Sequence, residues 1–246
     1  MKISKLSMAA LFLSLGLATC KKPGLMPTSN VSNADAAVML SGALSSNSYG
    51  LTNISTDVSL NAATALYANQ ACGSTVKDTM TRKSQAGSSS SYLYKLSYTH
   101  KLTCNIGGAT DNISSNLTYS GYFNNPALSL TNSGSAAIIV AGLTPAATAY
   151  VVNGEYKSSG SFKLRPDSTN TGSASIDIVV KNLTVAKTTQ VVAGGTATVI
   201  VTGTTLKKGD FTYNGTVTFN GNFMASLALN GSNYTINLAT GIVTRK

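Results

Sequence analysis

From Tyr92 onward the chain is written with a period of two. Tyr92, Tyr94, Leu96, Tyr98, His100, Leu102 and Cys104 take one set of alternate positions, and Lys95, Ser97, Thr99, Lys101 and Thr103 take the other. Successive side chains of a strand point to opposite faces, so this run is a strand with one face buried and one wet. A helix is excluded, because a period of two spreads apolar groups around a 3.6-residue turn. The same pattern predicts strands at 115–123, 135–143, 148–157, 160–165, 174–184, 196–206, 211–224, 225–229, 233–238 and 242–245. In the clearest, Phe211, Tyr213, Gly215, Val217, Phe219, Gly221 and Phe223 share one face, while Thr or Asn fills every position between them from Thr212 to Asn220. Asn230-Gly231 lies between two alternating runs, where it reads as a two-residue hairpin turn. Gly215 and Gly221 lie too close together to mark separate turns and are expected to permit bulging or bending. Strands joined by tight turns pair antiparallel with their neighbours, and ten or so rarely stay in one flat sheet. The expected fold is mainly β: an antiparallel meander curled into a sandwich or partial barrel, with one or two short N-terminal helices.

Those helices are expected where Ala, Leu and Met concentrate. Asp35 is placed as the cap of a helix to Leu44, and Asp57 as the cap of a second over 58–71, with Leu60, Ala63 and Tyr67 along one stripe. Residues 84–91 form a Ser-rich loop by composition. The whole of 34–246 is expected to be a single β-rich domain, with the helices on one face of the sheet or plugging an end. Thr118-Tyr-Ser-Gly-Tyr-Phe123 is echoed by Thr218-Phe-Asn-Gly-Asn-Phe223, and either duplication or convergence on one hairpin grammar accounts for it.

The chemistry available to such a domain is narrow. Ser 32, Thr 31 and Asn 21 together make 84 of the 246 residues, while His100 is the only histidine, Glu155 the only glutamate, and Trp is absent. Metal sites and acid–base catalysis draw on His, Cys, Asp and Glu, so a multi-His metal site and paired-glutamate chemistry are excluded by count. His100 is the one conventional general base, but no Gly-x-Ser-x-Gly elbow accompanies it, and Ser74-x-x-Lys77 and Ser161-Phe-Lys163 lack supporting motifs. It reads as a hydrogen-bonded core or rim histidine. Gly107-Gly108 and Gly194-Gly195 are isolated turn pairs, and 167–172 holds a single acid, too few for a calcium loop. No cofactor, metal or catalytic residue is expected.

The N-terminus carries an address. Lys2 and Lys5 precede the apolar run Met8–Leu17, which is too short to span a bilayer and reads as a signal peptide over 1–19. Leu17-Ala18-Thr19-Cys20 then resembles the lipobox of bacterial lipoproteins, with Thr19 standing where that family usually carries Gly, Ala or Ser. The Cys20-Lys-Lys opening is similar to that of envelope lipoproteins of Bacteroidetes-type bacteria. The resemblance implies that Cys20 is lipidated, that 20–33, with two prolines and no apolar periodicity, form a flexible tether, and that the protein is held in the bacterial cell envelope. Without an acidic run after Cys20, the outer membrane facing the periplasm is the expected site. With Cys20 acylated, Cys72 and Cys104 remain as an even pair in an oxidising compartment, where a disulfide is expected.

Charge narrows the partners. The chain carries +10, and removal of Lys2 and Lys5 leaves 10 − 2 = +8. Tyr92, Tyr94 and Tyr98 fall on the opposite pleat from Lys95 and Lys101, which does not fit the stacking-plus-basic pattern of nucleic-acid binders. An anionic lipid head group, lipopolysaccharide or acidic glycan is the more sensible counter-charge. These readings together point to a non-enzymatic, membrane-tethered binding or scaffolding module. Either a partial barrel lined by Phe211, Tyr213, Val217, Phe219 and Phe223 holds a lipid or other apolar ligand, or a sandwich presents Asn, Thr and Tyr to glycan or an envelope protein. The alternative is an envelope hydrolase using a serine with His100, which requires the imidazole to lie in a cleft beside that serine.

Overall fold

The structure, a computed structural model, describes residues 31–165, 170–206 and 209–246. The signal, the lipobox with Cys20, most of the tether and the turn at 167–169 lie outside the described residues. Helix α1 (Asn33–Leu44) begins one turn earlier in the chemistry than Asp35 suggests. Ser32 is the cap: its Oγ accepts the Asp35 amide at 3.1 Å, and the Asp35 carboxylate accepts the Ser32 amide at 2.9 Å, a reciprocal capping box. Val31, just before it, is 1% exposed, so the fold takes in residues 31–33.

Helix α2 (Leu51–Tyr67) corrects the second helix expectation. Gly50 is its cap, and Asp57 sits in its middle. The first two turns, Leu51-Thr-Asn-Ile-Ser-Thr-Asp57, carry hydroxyl residues that favour turns in an isolated chain. Here both threonines are tied down: Thr52 Oγ1 donates to Leu44 O at 2.6 Å and Thr56 Oγ1 to Thr52 O at 3.1 Å. Leu51, Ile54, Val58, Ala62 and Ala65 form the buried stripe, at the helical spacing.

Eleven strands follow: β1 (Thr75–Lys83), β2 (Ser91–Cys104), β3 (Thr110–Asn124), β4 (Leu128–Ala141), β5 (Ala149–Leu164), β6 (Thr171–Ala186), β7 (Val192–Thr205), β8 (Gly209–Gly221), β9 (Met224–Leu229), β10 (Ser232–Asn237) and β11 (Val243–Arg245). They form one sheet in strict chain order, every pair antiparallel. β1 and β11 do not pair, so the single sheet is not closed. The segments expected at 148–157 and 160–165 are one strand, β5, whose Ser158 and Ser159 pair with Gly134 and Ser133. β1 was not expected, because nearly all of it is exposed and its apolar alternation is missing; as an edge strand it carries Lys and Arg in place of a buried face.

The alternation of β2 is observed as expected, with Tyr94, Leu96, Tyr98, His100 and Leu102 buried and Lys95, Ser97 and Lys101 exposed. The buried faces of all the long strands look inward onto the helices. α1 packs on β4 and β9–β11, and α2 on β4–β7, so the helices lie on one face of the sheet. Met39, Leu40, Leu44, Ile54 and Val58 join Leu128, Ile138, Val152 and Ile178 in one core. Between α1 and β4–β6 the leftover space, lined by Met39, Ala43, Leu130 and Ile176, is about 10 Å³, barely a water's worth.

β8 keeps its expected face except at the end. Phe211, Tyr213, Val217 and Phe219 are buried. Gly215 is where a neighbour crosses, since a Cβ there would stand 2.4 Å from Ala228 O and 2.9 Å from a Leu229 methyl. The register shifts between Phe219 and Gly221, and Asn222 and Phe223 form a turn with φ 49° and 57°. Phe223 is therefore off the strand and 41% exposed, not in line with the other aromatics. Alternation alone cannot reveal this, because Phe at a left-handed turn position carries no turn signal. Asn230-Gly231 is the expected hairpin, with φ 43° and 78° and Leu229 paired to Ser232. The echo at 118–123 runs straight on to Asn124 in β3, so the two copies differ in conformation.

Cys72, beyond α2, is bonded to Cys104 at the end of β2, with Cα atoms 5.6 Å apart. Gly73 N donates to Leu102 O at 2.9 Å beside it.

Candidate functional site: a buried histidine, a clamped carboxylate and the outer sheet face

His100 lies on the inward face of β2, 7% exposed, stacked on Tyr98 with centroids 5.3 Å apart. Its cross-strand partner is Ser115, whose Oγ is 2.7 Å from Nδ1. From the other side α2 brings Asn61, whose Nδ2 is 2.9 Å from Nε2. An amide nitrogen only donates, so Nε2 accepts, the ring proton sits on Nδ1, and Nδ1–H donates to Ser115 Oγ. That polarity is the reverse of what a general base needs, which is to receive the serine proton. Burial holds the imidazole below its usual value, with Asp78 pulling weakly the other way. Sequence reasoning places His100 in the core but misses both partners: Ser115 requires the β2–β3 register, and Asn61 requires the docking of α2.

Asp57 organises the second cluster. Its carboxylate accepts the hydroxyls of Tyr49 and Tyr98, the latter at 3.4 Å, and pairs with Arg82 Nη2 at 3.2 Å. Arg82 Nε also donates to Tyr49 Oη at 2.9 Å. Burial pushes the Tyr49 and Tyr98 phenols well above their usual range, so both remain donors. The arrangement clamps α2 to edge strand β1. A hollow of about 240 Å³ opens nearby, lined in part by Asp57, Gln190 and Phe223.

The outward face is built differently. Across β1–β5 the register aligns Thr81, Lys95, Ser120, Ser133 and Ser159 in one row. Three hollows of about 520, 350 and 850 Å³ lie over these strands. The first shares Ser97 and Thr118 with the second and Ser120 with the third, so they run into one another. Most lining residues carry hydroxyls or amides, with Lys95, Lys157 and Glu155 as charges and Tyr119, buried, and Tyr122, 40% exposed, as the aromatics.

Searched against protein-family models, curated proteins and solved structures, the chain matches none. The geometry therefore carries the functional argument. Phe211, Tyr213, Val217 and Phe219, the expected lining of an apolar pocket, stand within the packed core, and Phe223 lines the rim hollow beside Asp57. Among the described residues no group of three or more His, Cys, Asp or Glu could hold a metal ion, and no helix is long and apolar enough to cross a membrane.

Proposed function

We propose that the chain is a lipoprotein of the bacterial cell envelope, anchored through Cys20, whose β domain works without turnover as a binding module through its outward face. The observation that carries this reading is the contrast between the two faces of one sheet. The inward face is covered by the protein's own helices, and Phe211, Val217 and Phe219, the residues that would line a lipid pocket, are buried against one another and their neighbours in the single core. The outward face of β1–β5 offers contiguous hollows and uncommitted hydroxyls. Anchoring follows from the lipobox resemblance, and an outer-membrane position facing the periplasm from the lack of an acidic run after Cys20.

Two measurements test it. Mass spectrometry of the mature N-terminus should find diacylglyceryl Cys20, and an uncleaved chain with a free Cys20 refutes the anchor. A photo-crosslinking residue at Ser133, on the outward face, should capture an envelope component in intact cells, whereas one at solvent-exposed Thr64 on α2 should not; no adduct at Ser133 refutes the binding face. The proximity of Ser115 to His100 favours a second reading, a serine hydrolase. A fluorophosphonate probe should leave Ser115 unlabelled, because the hydroxyl is buried and hydrogen-bonded as an acceptor; labelling there restores the hydrolase.

A further inference from the structure

Resting on the reading of the outward face as a binding surface, we infer that it takes an acidic polysaccharide laid across strands β1–β5. The first observation is the sign of the charge. The residues paired across the outward side of β1–β5 include Lys77, Lys83, Lys95, Lys101, Lys157 and Lys163 against Glu155, which is 6 − 1 = +5 over these five strands; the next acid on that side is Asp177 of β6, opposite Lys157. Glu155 is held by Lys157 at 2.9 Å, and among the described residues the other five lysines make no ion pair. Such a one-signed field attracts a polyanion and holds it in a salt-dependent way.

The second observation is the spacing. The row Thr81, Lys95, Ser120, Ser133, Ser159 offers one hydroxyl or ammonium per strand, at the inter-strand repeat of about 4.8 Å. That is about the length of one pyranose ring in an extended chain. A polymer running across the strands meets a donor at each step, and hydroxyls, both donor and acceptor, suit ring hydroxyls while lysines suit carboxylates.

The third is what the surface lacks for the rival polyanions and partners. Single-stranded nucleic acid needs stacking platforms, yet Tyr94, Tyr98 and Tyr119 point inward and are buried. A protein partner needs apolar or aromatic anchors clustered at the centre of the patch, whereas the exposed ones here, Tyr122 and Ile139, stand apart, Tyr122 pairing with Thr131 of β4 and Ile139 lying further along β4 opposite Ser114. An anionic bilayer would be met by the lysines alone, whereas here hydroxyls and amides share the surface with them.

The test uses the full lipidated protein in detergent micelles, titrated calorimetrically with a uronic-acid hexasaccharide and, separately, with the neutral hexamer maltohexaose. The uronate should bind, weaken as salt rises, and weaken at least tenfold in the double variant Lys95→Ser, Lys157→Ser. Both lysines are exposed, and an unchanged thermal melt verifies that the fold is kept. Thr216→Ala on β8, outside the basic region, should leave binding unchanged. No uronate binding, equal binding of maltohexaose, or indifference to the lysine changes overturns the inference. A photo-crosslinker at Ser120 in cells separates this from the broader reading: a carbohydrate adduct supports both, a protein adduct overturns the glycan while keeping the binding module, and no adduct overturns both.

Discussion

Lowering the pH from 7.5 to 5.5 should destabilise this protein through one side chain. His100 is neutral in the fold, because burial disfavours the imidazolium and because Nε2 must stay unprotonated to accept from Asn61. In the unfolded chain its pKa returns to about 6.5. The folded value lies below the unfolded one, so between the two the unfolded state binds more protons, and stability rises with pH. The contribution is fully present above about 6.5, is lost as pH falls towards the folded value, and has a slope of at most about 1.4 kcal/mol per pH unit for one proton. Protonation also sets two donors, Nε2–H and the Asn61 amide, against each other. The chain is a clean instrument for the measurement, since it holds a single histidine. Urea melts at half-unit intervals should show the midpoint falling below pH 6.5 in the native protein and staying level in His100→Gln, after allowing for that variant's constant loss of about 1–3 kcal/mol from broken buried hydrogen bonds. A native midpoint flat down to pH 5.5, or an equal slope in the variant, refutes the buried neutral imidazole.

The other expectations concern packing and cross-links. Phe219→Ala should cost about 3–5 kcal/mol, as for a buried aromatic, while exposed Thr218→Ala stays within about 0.5 kcal/mol; equal small effects in a denaturant melt refute the two-faced strand. Reducing Cys72–Cys104 opens a loop of 33 residues and should lower stability by about 3–4 kcal/mol on the chain-entropy argument, read as the difference between melts with and without reductant. Asp57→Ala strands the Tyr49 and Tyr98 hydroxyls and should cost about 1–3 kcal/mol, whereas Arg82→Ala, which removes a partly exposed partner, should cost less than about 1 kcal/mol; the reverse order in urea melts refutes the clamp.

Much of the sheet was legible because burial on one face writes itself into a strand at period two. β2, β6 and β8 repeat that pattern, and the Asn230-Gly231 turn follows from backbone sterics. What stayed hidden depends on tertiary partners. β1 has almost no buried face to record, α2 buries hydroxyl residues of which Thr52 and Ser59 find their acceptors only once the helix is in place, and Phe223 turns at a position favoured by Asn or Gly. The outward site was half visible. The Lys and Ser/Thr positions of β2 could be assigned to the wet face, but the row from Thr81 to Ser159 requires four registers at once, and no single strand carries that information.

The meander lets each strand find its partner next door in sequence, but the helices do not share this advantage. Asn33 bonds Ser232, 199 residues away, Ser41 bonds Gly241, 200 away, and Tyr213 reaches back to Val31. α1 and α2 precede in the chain every strand they rest on, so a chain delivered N-terminus first presents them before that floor exists. α1 then waits for β9–β11, the last strands delivered, whereas α2 waits only for β4–β7. Growth of the sheet is local and quick, whereas seating of the helices is the long-range, late event. A chain stalled after β8 would have most of its sheet and still hold the face of α1 meant for β9–β11 open to water, the species most in need of a chaperone.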